Sequence, residues 1–299
     1  MSAFGVVVVL HDSAGPLRAL LASLAAHLPE PPQLVVVDTG SRDGGADLAR
    51  AHGAEVLELP DNPGFGAANN AGVARIDRPV TVLLNPDCEL LDADALPALA
   101  AHAAAAGRRP ALHVPRLLNP DGSVQRSAHP LPGTAGALLP ALVHPPLLPR
   151  AVRERAEPWR ARTPRTVGWA IAACVAAPTA TLRALGPFDP AQFLFYEDMD
   201  LCLRARAAGV PTVLHPDLRV RHLGGHATTP AYGGEPHALL AARRREVVGR
   251  TRGRTARRLD DAAQLLTFAT RAAVRTALGR PATRERAQLA AQWAATPPA

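Results

Sequence analysis

Short apolar runs alternate with helix-forming segments over the first 84 residues, and this alternation constrains the fold more than any other feature of the sequence. Residues 4–10 read FGVVVVL, and Pro16 then stands where the first turn of a helix reaching Leu28 would begin. Further strands are predicted at 34–37, 54–59 and 80–84, and helices at 46–52 and 64–74. Strands that are apolar throughout and alternate with helices are typical of a parallel sheet covered on both faces. We therefore predict an α/β fold with a mostly parallel sheet flanked by helices.

Polar side chains follow three of these apolar runs directly. They are His11 and Asp12 after the first run, Asp38 after the second, and Asn85 and Asp87 after the run at 80–84. Open parallel sheets bind their ligands at the carboxyl ends of their strands. The functional residues are therefore expected at this edge of the sheet.

The composition is that of a folded protein with one large domain, or one and a half. The chain has 299 residues, 47% of them hydrophobic, which is enough to bury a sizeable core. Its three cysteines lack a C-x-x-C spacing, so neither a disulfide framework nor a cysteine zinc site is predicted. We find no secretion signal and no stretch able to span a membrane. These features together predict a cytoplasmic protein.

The second half of the chain divides into three parts. The proline-rich stretch 110–165 is predicted to form loops and short strands, after which regular structure resumes. We place a sheet domain at residues 1–230, with a donor half at about 1–110 and an acceptor half at about 111–230. Residues 231–299 are predicted to form an arginine-rich, helical C-terminal extension.

Asp38 opens the segment Asp38-Thr39-Gly40-Ser41, which can turn sharply and offer hydroxyl and backbone donors to a polar ligand. The same residues fit a turn in which Asp38 and Ser41 satisfy their own backbone, and the segment alone favours that interpretation.

Glycines near a helix start form a second candidate site. Gly64 and Gly66 lie where backbone donors could meet a phosphate group. Asn69 stands where the third glycine of a dinucleotide fingerprint belongs, and the motif does not follow the first strand. A nicotinamide cofactor is therefore disfavoured.

Acidic side chains mark two further positions. Asp87 could hold a divalent metal through its carboxylate, or it could cap a turn. Glu197, Asp198 and Asp200 precede a helix predicted from about Asp200 to Ala208. Asp200 fits a capping or first-turn acid. The other two exceed what capping needs, which makes Asp198 a candidate general base or metal partner. His222 on its own fits a loop histidine.

Taken together, these segments resemble glycosyltransferase family 2, and specifically its bacterial rhamnosyltransferase-like branch. The resemblance runs from about Phe4 to Thr228. The segments that carry it, in this order, are VVVVLHDS, VVVDTGSRDGG, DNPGFGAANNAG, LLNPD, FLFYEDMDLCLRARAAG and VRHLGG. The resemblance also takes in the middle segment PRLLNPDGSVQRS.

The resemblance implies a GT-A fold, in which a Rossmann-like sheet binds a nucleotide-sugar, and an inverting, metal-dependent transfer. Asp87 would hold Mg²⁺ or Mn²⁺, with His222 as a further ligand. Asp198 would be the catalytic base beside Glu197, and both would meet the acceptor together with Trp169. The nucleotide-sugar site would comprise His11, Asp12, Asp38, Gly40, Ser41, Asn62, Gly64, Phe65, Gly66, Asn69, Asn85 and Asp87. The expected donor is dTDP-rhamnose or a similar deoxyhexose donor, and the expected acceptor is a saccharide or a polyprenyl-linked sugar of the cell wall or an exopolysaccharide.

Two other functions were weighed. The formal charge of +7 rests on arginine, because the sequence contains no lysine, and eight arginines lie within 243–258. A nucleic-acid-binding protein on a degenerate GT-A-like domain would explain this run but none of the motifs at the strand ends, so we expect no specific nucleic acid. A nucleotidyltransferase would need a glycine-rich basic loop after the first strand, where this chain has His11-Asp12-Ser13.

The extension itself allows two interpretations. Between residues 259 and 278, apolar residues are predicted to share one helical face, with Asp260 and Asp261 among the polar residues opposite. The helix could pack on the domain or a second subunit, which is the favoured interpretation. It could instead lie on the inner face of an anionic cell membrane as a peripheral contact.

Overall fold

The structure is a computed structural model that describes residues 2–59, 61–105, 109–143, 148–190, 192–224 and 236–295. Its strands are β1 (Phe4–Leu10), β2 (Gln33–Asp38), β3 (Glu55–Glu58), β4 (Val80–Leu84), β5 (Cys88–Leu90), β6 (Leu112–Leu118), β7 (Ala128–His129), β8 (Arg165–Val167), β9 (Trp169–Ala170), β10 (Cys174–Pro178) and β11 (Thr212–His222). Its helices are α1 (Ala14–His27), α2 (Gly45–Ala51), α3 (Phe65–Arg75), α4 (Ala95–Ala105), α5 (Ala135–Leu142), α6 (Arg150–Ala156), α7 (Thr179–Leu185), α8 (Glu197–Ala207), α9 (His237–Ala277) and α10 (Thr283–Ala295), with a short 3₁₀ helix at Pro158–Arg160.

A nine-stranded sheet forms the centre of the molecule, in the order β3-β2-β1-β4-β10-β6-β11-β5, with β8 also paired to β11. The first four of these strands are parallel to their neighbours, whereas β10 runs antiparallel to β4 and β6. The chain moves outward from β1 to β3 and then returns to place β4 on the other side of β1. The carboxyl ends of β1 and β4 therefore flank a topological switch point, where such sheets bind ligands.

Alternate side chains of β1 enter two different cores. Val6, Val8 and Leu10 pack with helices α1, α2 and α4 on one face of the sheet. Val7 and Val9 pack on the other face with α3, α7, α8 and α9. A strand buried on both faces needs apolar residues at every position, which is why FGVVVVL has no polar residue. The strands and helices predicted in the first 84 residues lie within about two residues of the observed ones.

The proline-rich stretch differs from the prediction of loops and short strands. It contains two helices, α5 and α6, and β6 is an interior strand of the sheet. Pro115 interrupts β6 and pairs with His215 of β11, after which the register shifts to Arg219. Proline lacks the N–H that a ladder requires, and the bulge absorbs that loss. Across this bulge, β11 continues as one strand from Thr212 to His222.

The described C-terminal residues are helical, as predicted, but the pattern proposed for 259–278 is wrong. Gly253 has φ of 84° and ψ of 175°, which divides α9 into two helical segments. Asp260 and Asp261 are 2% and 5% exposed, because the bend brings the arginines of the first segment against them. Arg244 Nε lies 2.8 Å from Asp260 Oδ2, and Arg245 Nε lies 2.9 Å from Asp261 Oδ2.

The first segment of α9 belongs to the core of the sheet domain, since Val247 and Val248 are fully buried in the same cluster as α8. The predicted boundary near residue 230 lies outside the described residues. Among the residues that are described, no helix is long and apolar enough to cross a membrane.

Candidate active site

A cavity of about 380 Å³ opens at the carboxyl ends of β1 and β4, under the segment that leads into α8. Polar groups from distant parts of the chain line it together with an apolar wall. Nine of the residues predicted for the site line this cavity, namely His11, Asn62, Gly64, Phe65, Asn85, Asp87, Glu197, Asp198 and His222. The sheet topology thus brings residues from both halves of the chain to one edge.

Asp87 and His222 face each other at the floor of this cavity. Both are buried, and Asp87 Oδ1 lies 3.3 Å from His222 Nε2. The backbone N–H of Gly224 donates to Asp87 Oδ2 at 2.9 Å. Burial opposes ionisation of Asp87, yet the hydrogen bond and charge of His222, with the Gly224 N–H, hold the pKa of this carboxyl below its ordinary value.

Gln125 fixes the orientation of the His222 ring. Its amide Nε2 donates to Asn119 Oδ1 at 3.2 Å, which turns its Oε1 toward His222 Nδ1 at 2.9 Å. Because Oε1 can only accept, Nδ1 carries a proton. The other ring nitrogen, Nε2, is the one that faces Asp87.

Glu197 and Asp198 form the opposite wall. The helix begins at Glu197, three residues earlier than predicted, so both acids lie in its first turn. Asp198 accepts a hydrogen bond from the Met199 N–H at 2.6 Å. Within the described residues, Oε2 of Glu197 is buried and has no hydrogen-bond partner.

The two carboxyl groups have perturbed acidity. Burial raises the pKa of Glu197, and the neighbouring Asp198 charge raises it further. Burial also raises the pKa of Asp198, against the hydrogen bonds from the backbone of Met199 and Ala172. A pair of buried acids of this kind suits proton transfer near neutral pH.

Backbone strain surrounds the cavity. Phe195 and Tyr196, directly before the two acids, have φ of 71° and 62°, and Asn62 has φ of 39°. Gly64 has φ of 92°, and a Cβ on it would lie 2.6 Å from the carbonyl oxygen of Phe193. Such conformations cluster at functional sites. The glycine therefore allows α3 to approach the segment before α8.

The loops after β1 and β2 are joined to each other beside the cavity. Ser41 donates to Asp38 through both its hydroxyl and its N–H. Asp12 Oδ1 accepts the Arg42 N–H at 2.8 Å, and the Asp12 N–H donates to Ser41 Oγ at 3.0 Å. Asp12, Asp38, Gly40 and Ser41 are not among the lining residues, and these contacts match the turn that satisfies its own backbone.

Three other predicted residues also lie away from the cavity lining. A Cβ on Gly66 would lie 2.8 Å from Phe188 Cβ, and Asn69 Nδ2 donates to the Phe65 carbonyl at 2.9 Å. Both contacts are packing contacts of α3. Trp169 is buried and stacks on His129 with ring centroids 4.2 Å apart. The role of Trp169 in the acceptor site remains a prediction, as do the roles of Gly66 and Asn69 in donor binding.

Comparison with known proteins identifies the family. Residues 5–129 match the family described as glycosyl transferase family 2. The N-acetylglucosaminyl-diphospho-decaprenol L-rhamnosyltransferase of Mycobacterium tuberculosis is 31% identical over 255 residues, 79% of this chain and 80% of that protein. This chain belongs to glycosyltransferase family 2. The rhamnosyltransferase-like resemblance is therefore confirmed, and the protein is a glycosyltransferase.

Solved structures show the same fold. A mannosyltransferase from Pyrobaculum calidifontis, in complex with GDP-Man and Mn²⁺, superposes with a TM-score of 0.60 at 14% identity, over 98% of this chain and 85% of that one. The glucosyl-3-phosphoglycerate synthase of Mycobacterium tuberculosis, in complex with Mg²⁺ and UDP, gives 0.52 at 18% identity, over 83% and 79%. The predicted α/β, GT-A-type fold is thus confirmed.

Sequence reasoning missed several residues in and around this cavity. Gln125 lies in the segment PRLLNPDGSVQRS, which the family resemblance includes, but no role was predicted for it. Ile171, Phe193 and Phe195 line the cavity but read as ordinary apolar residues. A run of four aromatic or large apolar residues directly before an acidic cluster, as in FLFYED, was the available signal.

Proposed function

We propose that this family 2 enzyme is an inverting, metal-dependent glycosyltransferase that moves a deoxyhexose from a nucleoside diphosphate to a saccharide hydroxyl. The observation that carries the proposal is the meeting of Asp87 and Asp198 in one cavity at the switch point of the sheet. The pKa of Asp87 is lowered and the pKa of Asp198 is raised. Two acids with opposite shifts suit different tasks in one site.

Asp198 acts as the general base in this proposal. Its pKa is raised toward neutral pH. A general base is most effective when its pKa lies near the working pH, so Asp198 is suited to remove the proton from the acceptor hydroxyl. Glu197, whose pKa is raised as well, would stay protonated beside it and hydrogen-bond the sugar. The hydroxyl oxygen attacks the anomeric carbon as the bond to the diphosphate breaks, which inverts that centre in one displacement.

Asp87 and His222 fit a divalent cation. A carboxylate oxygen and an imidazole nitrogen face each other at 3.3 Å, and both can ligate a divalent cation once the imidazole nitrogen is unprotonated. The described residues hold no cluster of three or more metal-ligating side chains, so phosphate oxygens and water would complete the shell, as is usual for Mg²⁺. When bound, Mg²⁺ or Mn²⁺ would neutralise charge on the departing diphosphate.

The charge of the cavity supports the same conclusion. Its described lining includes the carboxylates Asp87, Glu197 and Asp198 but no arginine. A nucleoside diphosphate would meet net negative charge there unless a cation accompanies it. Two of the structural relatives were solved with Mn²⁺ or Mg²⁺ and a nucleotide, which is consistent with a metal here.

The wall formed by Ile171, Phe193 and Phe195 supports a deoxy sugar as the donor group. A C6 methyl group gains from burial against such a wall, whereas a C6 hydroxyl would lose its hydrogen bonds to water. dTDP-rhamnose is the donor we favour, in line with the name of the mycobacterial relative.

A groove between α9 and α10 supports a lipid-linked acceptor delivered from an anionic membrane surface. Its lining is almost entirely apolar and encloses about 730 Å³, with Trp293 72% exposed at its rim. Arg254 and Arg258 are exposed on the turns of α9 that precede it. Exposed tryptophan beside arginine is typical of interfacial helices. The mycobacterial relative is named for a decaprenol-linked acceptor.

Calorimetry tests the proposed donor site first. dTDP, UDP and GDP are titrated into the protein with Mn²⁺ or with EDTA, in the wild type and in Asp87→Ala. We expect one nucleotide to bind with metal and to lose that binding in the variant. Binding that ignores both metal and Asp87 would contradict the proposal. Product formation from dTDP-rhamnose, compared with dTDP-glucose, then tests the preference for a deoxy sugar.

Vesicle sedimentation tests the membrane contact. Trp293→Ser should reduce binding to vesicles that contain phosphatidylglycerol, whereas Leu142→Ser, at an equally exposed position on α5 (67%), should not. Equal binding of both variants would contradict the contact. Point variants are needed because truncation of α9 would remove Val247 and Val248 from the core.

The nucleic-acid alternative gains little support. Within the described part of the chain, four of the eight arginines in 243–258 form ion pairs. Contacts with phosphate groups need cationic side chains that are not already paired. About half of the positive charge of this run is therefore available to nucleic acid. Steeply salt-dependent binding to polynucleotides, without any response to metal or nucleotide-sugar, would favour the alternative.

A further inference from the structure

The strained turn before the two candidate catalytic acids is held by contacts from α9. Phe195 and Tyr196 are successive non-glycine residues with left-handed φ values. A non-glycine residue in this conformation is strained and persists only where surrounding contacts hold it. The local sequence contributes little to this, since no side chain caps the start of α8.

Arg250 contacts both sides of this turn. Its Nη1 donates to Asp189 Oδ2 at 2.5 Å, seven residues before Tyr196. Its Nη2 donates to Asp200 Oδ1 at 2.9 Å, within α8. Nη2 also lies 3.4 Å from Gln192 Oε1, and Gln192 Nε2 in turn donates to the carbonyl of Phe195 at 2.6 Å. One guanidinium from α9 thus joins the residues before the turn to the helix after it.

Asp200 is the fixed end of this connection. It is completely buried, and its second oxygen accepts from Arg204 Nε at 2.7 Å. Arg204 also donates to the backbone carbonyls of Leu185 and Pro187. A buried carboxylate needs both partners, because loss of one leaves its charge under-compensated. Asp200 therefore serves the structure of the turn, beyond the role of a first-turn acid.

We propose that Arg250 is a positioning residue for the transfer reaction, which holds the turn between Asp189 and Asp200 so that the Asp198 carboxylate meets the acceptor hydroxyl. This inference rests on the proposed function, in which Asp198 is the base. It assigns part of the arginine-rich run to the active site through contacts within the protein. Arg244 supports the same turn, because its guanidinium lies over the Tyr196 ring, 5.8 Å from the centroid, while it hydrogen-bonds Asp260.

Arg245 provides a matched control. It lies on the same helical segment and pairs with a buried carboxylate, Asp261, at 2.9 Å. That partner belongs to α9 itself, so this ion pair joins the two segments of the helix. Arg245→Gln therefore removes a comparable ion pair without touching the residues 189–200.

The experiment compares Arg250→Gln, Arg250→Lys and Arg245→Gln by steady-state kinetics and by hydrogen–deuterium exchange of residues 193–199. Misplacement of a reacting group by about 1 Å can lower a rate about 100-fold. We expect Arg250→Gln to lower kcat at least about 10-fold, with the donor KM changed less than about 3-fold, and to speed exchange at 193–199. Arg250→Lys should recover part of kcat, and Arg245→Gln should leave both readouts unchanged despite a lower Tm.

Equal losses of kcat in Arg250→Gln and Arg245→Gln would overturn the inference, because they would indicate a general loss of stability. If the wild type transfers no sugar from any donor, the proposed function fails, and the exchange measurement then decides on Arg250 alone. Unchanged exchange at 193–199 in Arg250→Gln overturns the positioning role, whereas faster exchange confined to that variant supports it.

Discussion

At the β1–β4 edge of the cavity, the turns after β2 and β3 are closed by hydrogen bonds between near neighbours, whereas the start of α8 is held from a distance. Asp38 is bonded to Ser41, three residues away, and Asn62 Oδ1 accepts from the Gly64 N–H. In contrast, Asp200 is bonded to Arg250, 50 residues away. These two turns are complete once their strands pair, but the start of α8 requires the C-terminal helix.

The two edges of the cavity also differ in the function that we assign to them. The β1–β4 edge carries Asp87, which we assign to the metal and the nucleotide. The α8 edge carries Asp198, which we assign to proton transfer. Changes at the α8 edge should therefore reduce kcat, and changes at the β1–β4 edge should mainly reduce affinity.

The largest effect is expected for Asp198→Asn. Removal of a positioned general base costs typically 10²–10⁴-fold in rate, and we expect a loss of kcat of about 10³-fold with unchanged nucleotide affinity. Steady-state kinetics and calorimetry on the same preparation measure the two quantities. A variant that keeps more than about a tenth of the wild-type rate would show that another group removes the proton.

A smaller loss is expected for Gln125→Leu, which removes the acceptor from His222 Nδ1. Groups that orient a metal-ligating histidine typically contribute 10–100-fold to metal affinity. Metal-dependent nucleotide binding should weaken about 10-fold by calorimetry. The control is Gln33→Leu, which removes a half-buried glutamine bonded to the Arg75 carbonyl at the amino-terminal end of β2, away from the cavity. Equal weakening of nucleotide binding in both variants would contradict the assignment of His222 to the metal site.

The raised pKa of Glu197 gives a stability prediction with a definite sign. Because the folded state holds the proton more tightly than the unfolded state, this carboxyl destabilises the fold as pH rises above its unfolded pKa. Glu197→Gln should therefore raise Tm at about pH 8, on the order of 2 °C, and leave it unchanged at about pH 4. A lower Tm at both values would mean that the carboxylate has a stabilising partner in the folded state.

The smallest effect is expected for Ser41→Ala at the β1–β4 edge. The variant loses the hydrogen bonds to Asp38 and from the Asp12 N–H, at about 1 kcal/mol of stability. Urea unfolding measures this loss. Nucleotide affinity should change less than about 3-fold, because this turn is satisfied internally. A much larger loss of affinity would place Ser41 in direct contact with the nucleotide, as the family resemblance implies.

The same contrast explains what the sequence could predict. Apolar strands and the polar residues that end them are local signals, so β1 to β4, His11 and Asp87 could be located from the sequence. Pairing between Arg250 and Asp200 depends on how the chain returns to the sheet, and no local pattern encodes it. For the same reason, Asp260 and Asp261 were wrongly predicted on the polar face of their helix. Aspartate is usually exposed, but a carboxylate that pairs with an arginine from another segment can be buried.

The bend at Gly253 also fixes the phase of the helix that follows it. Each residue of an α-helix turns the side chains by about 100°, so a single insertion between Gly253 and Asp260 would rotate that carboxylate away from Arg244. The spacing from Arg244 to Asp260 therefore tolerates substitution far better than a change of length. In related sequences, insertions and deletions should fall outside this interval, even where its residues vary.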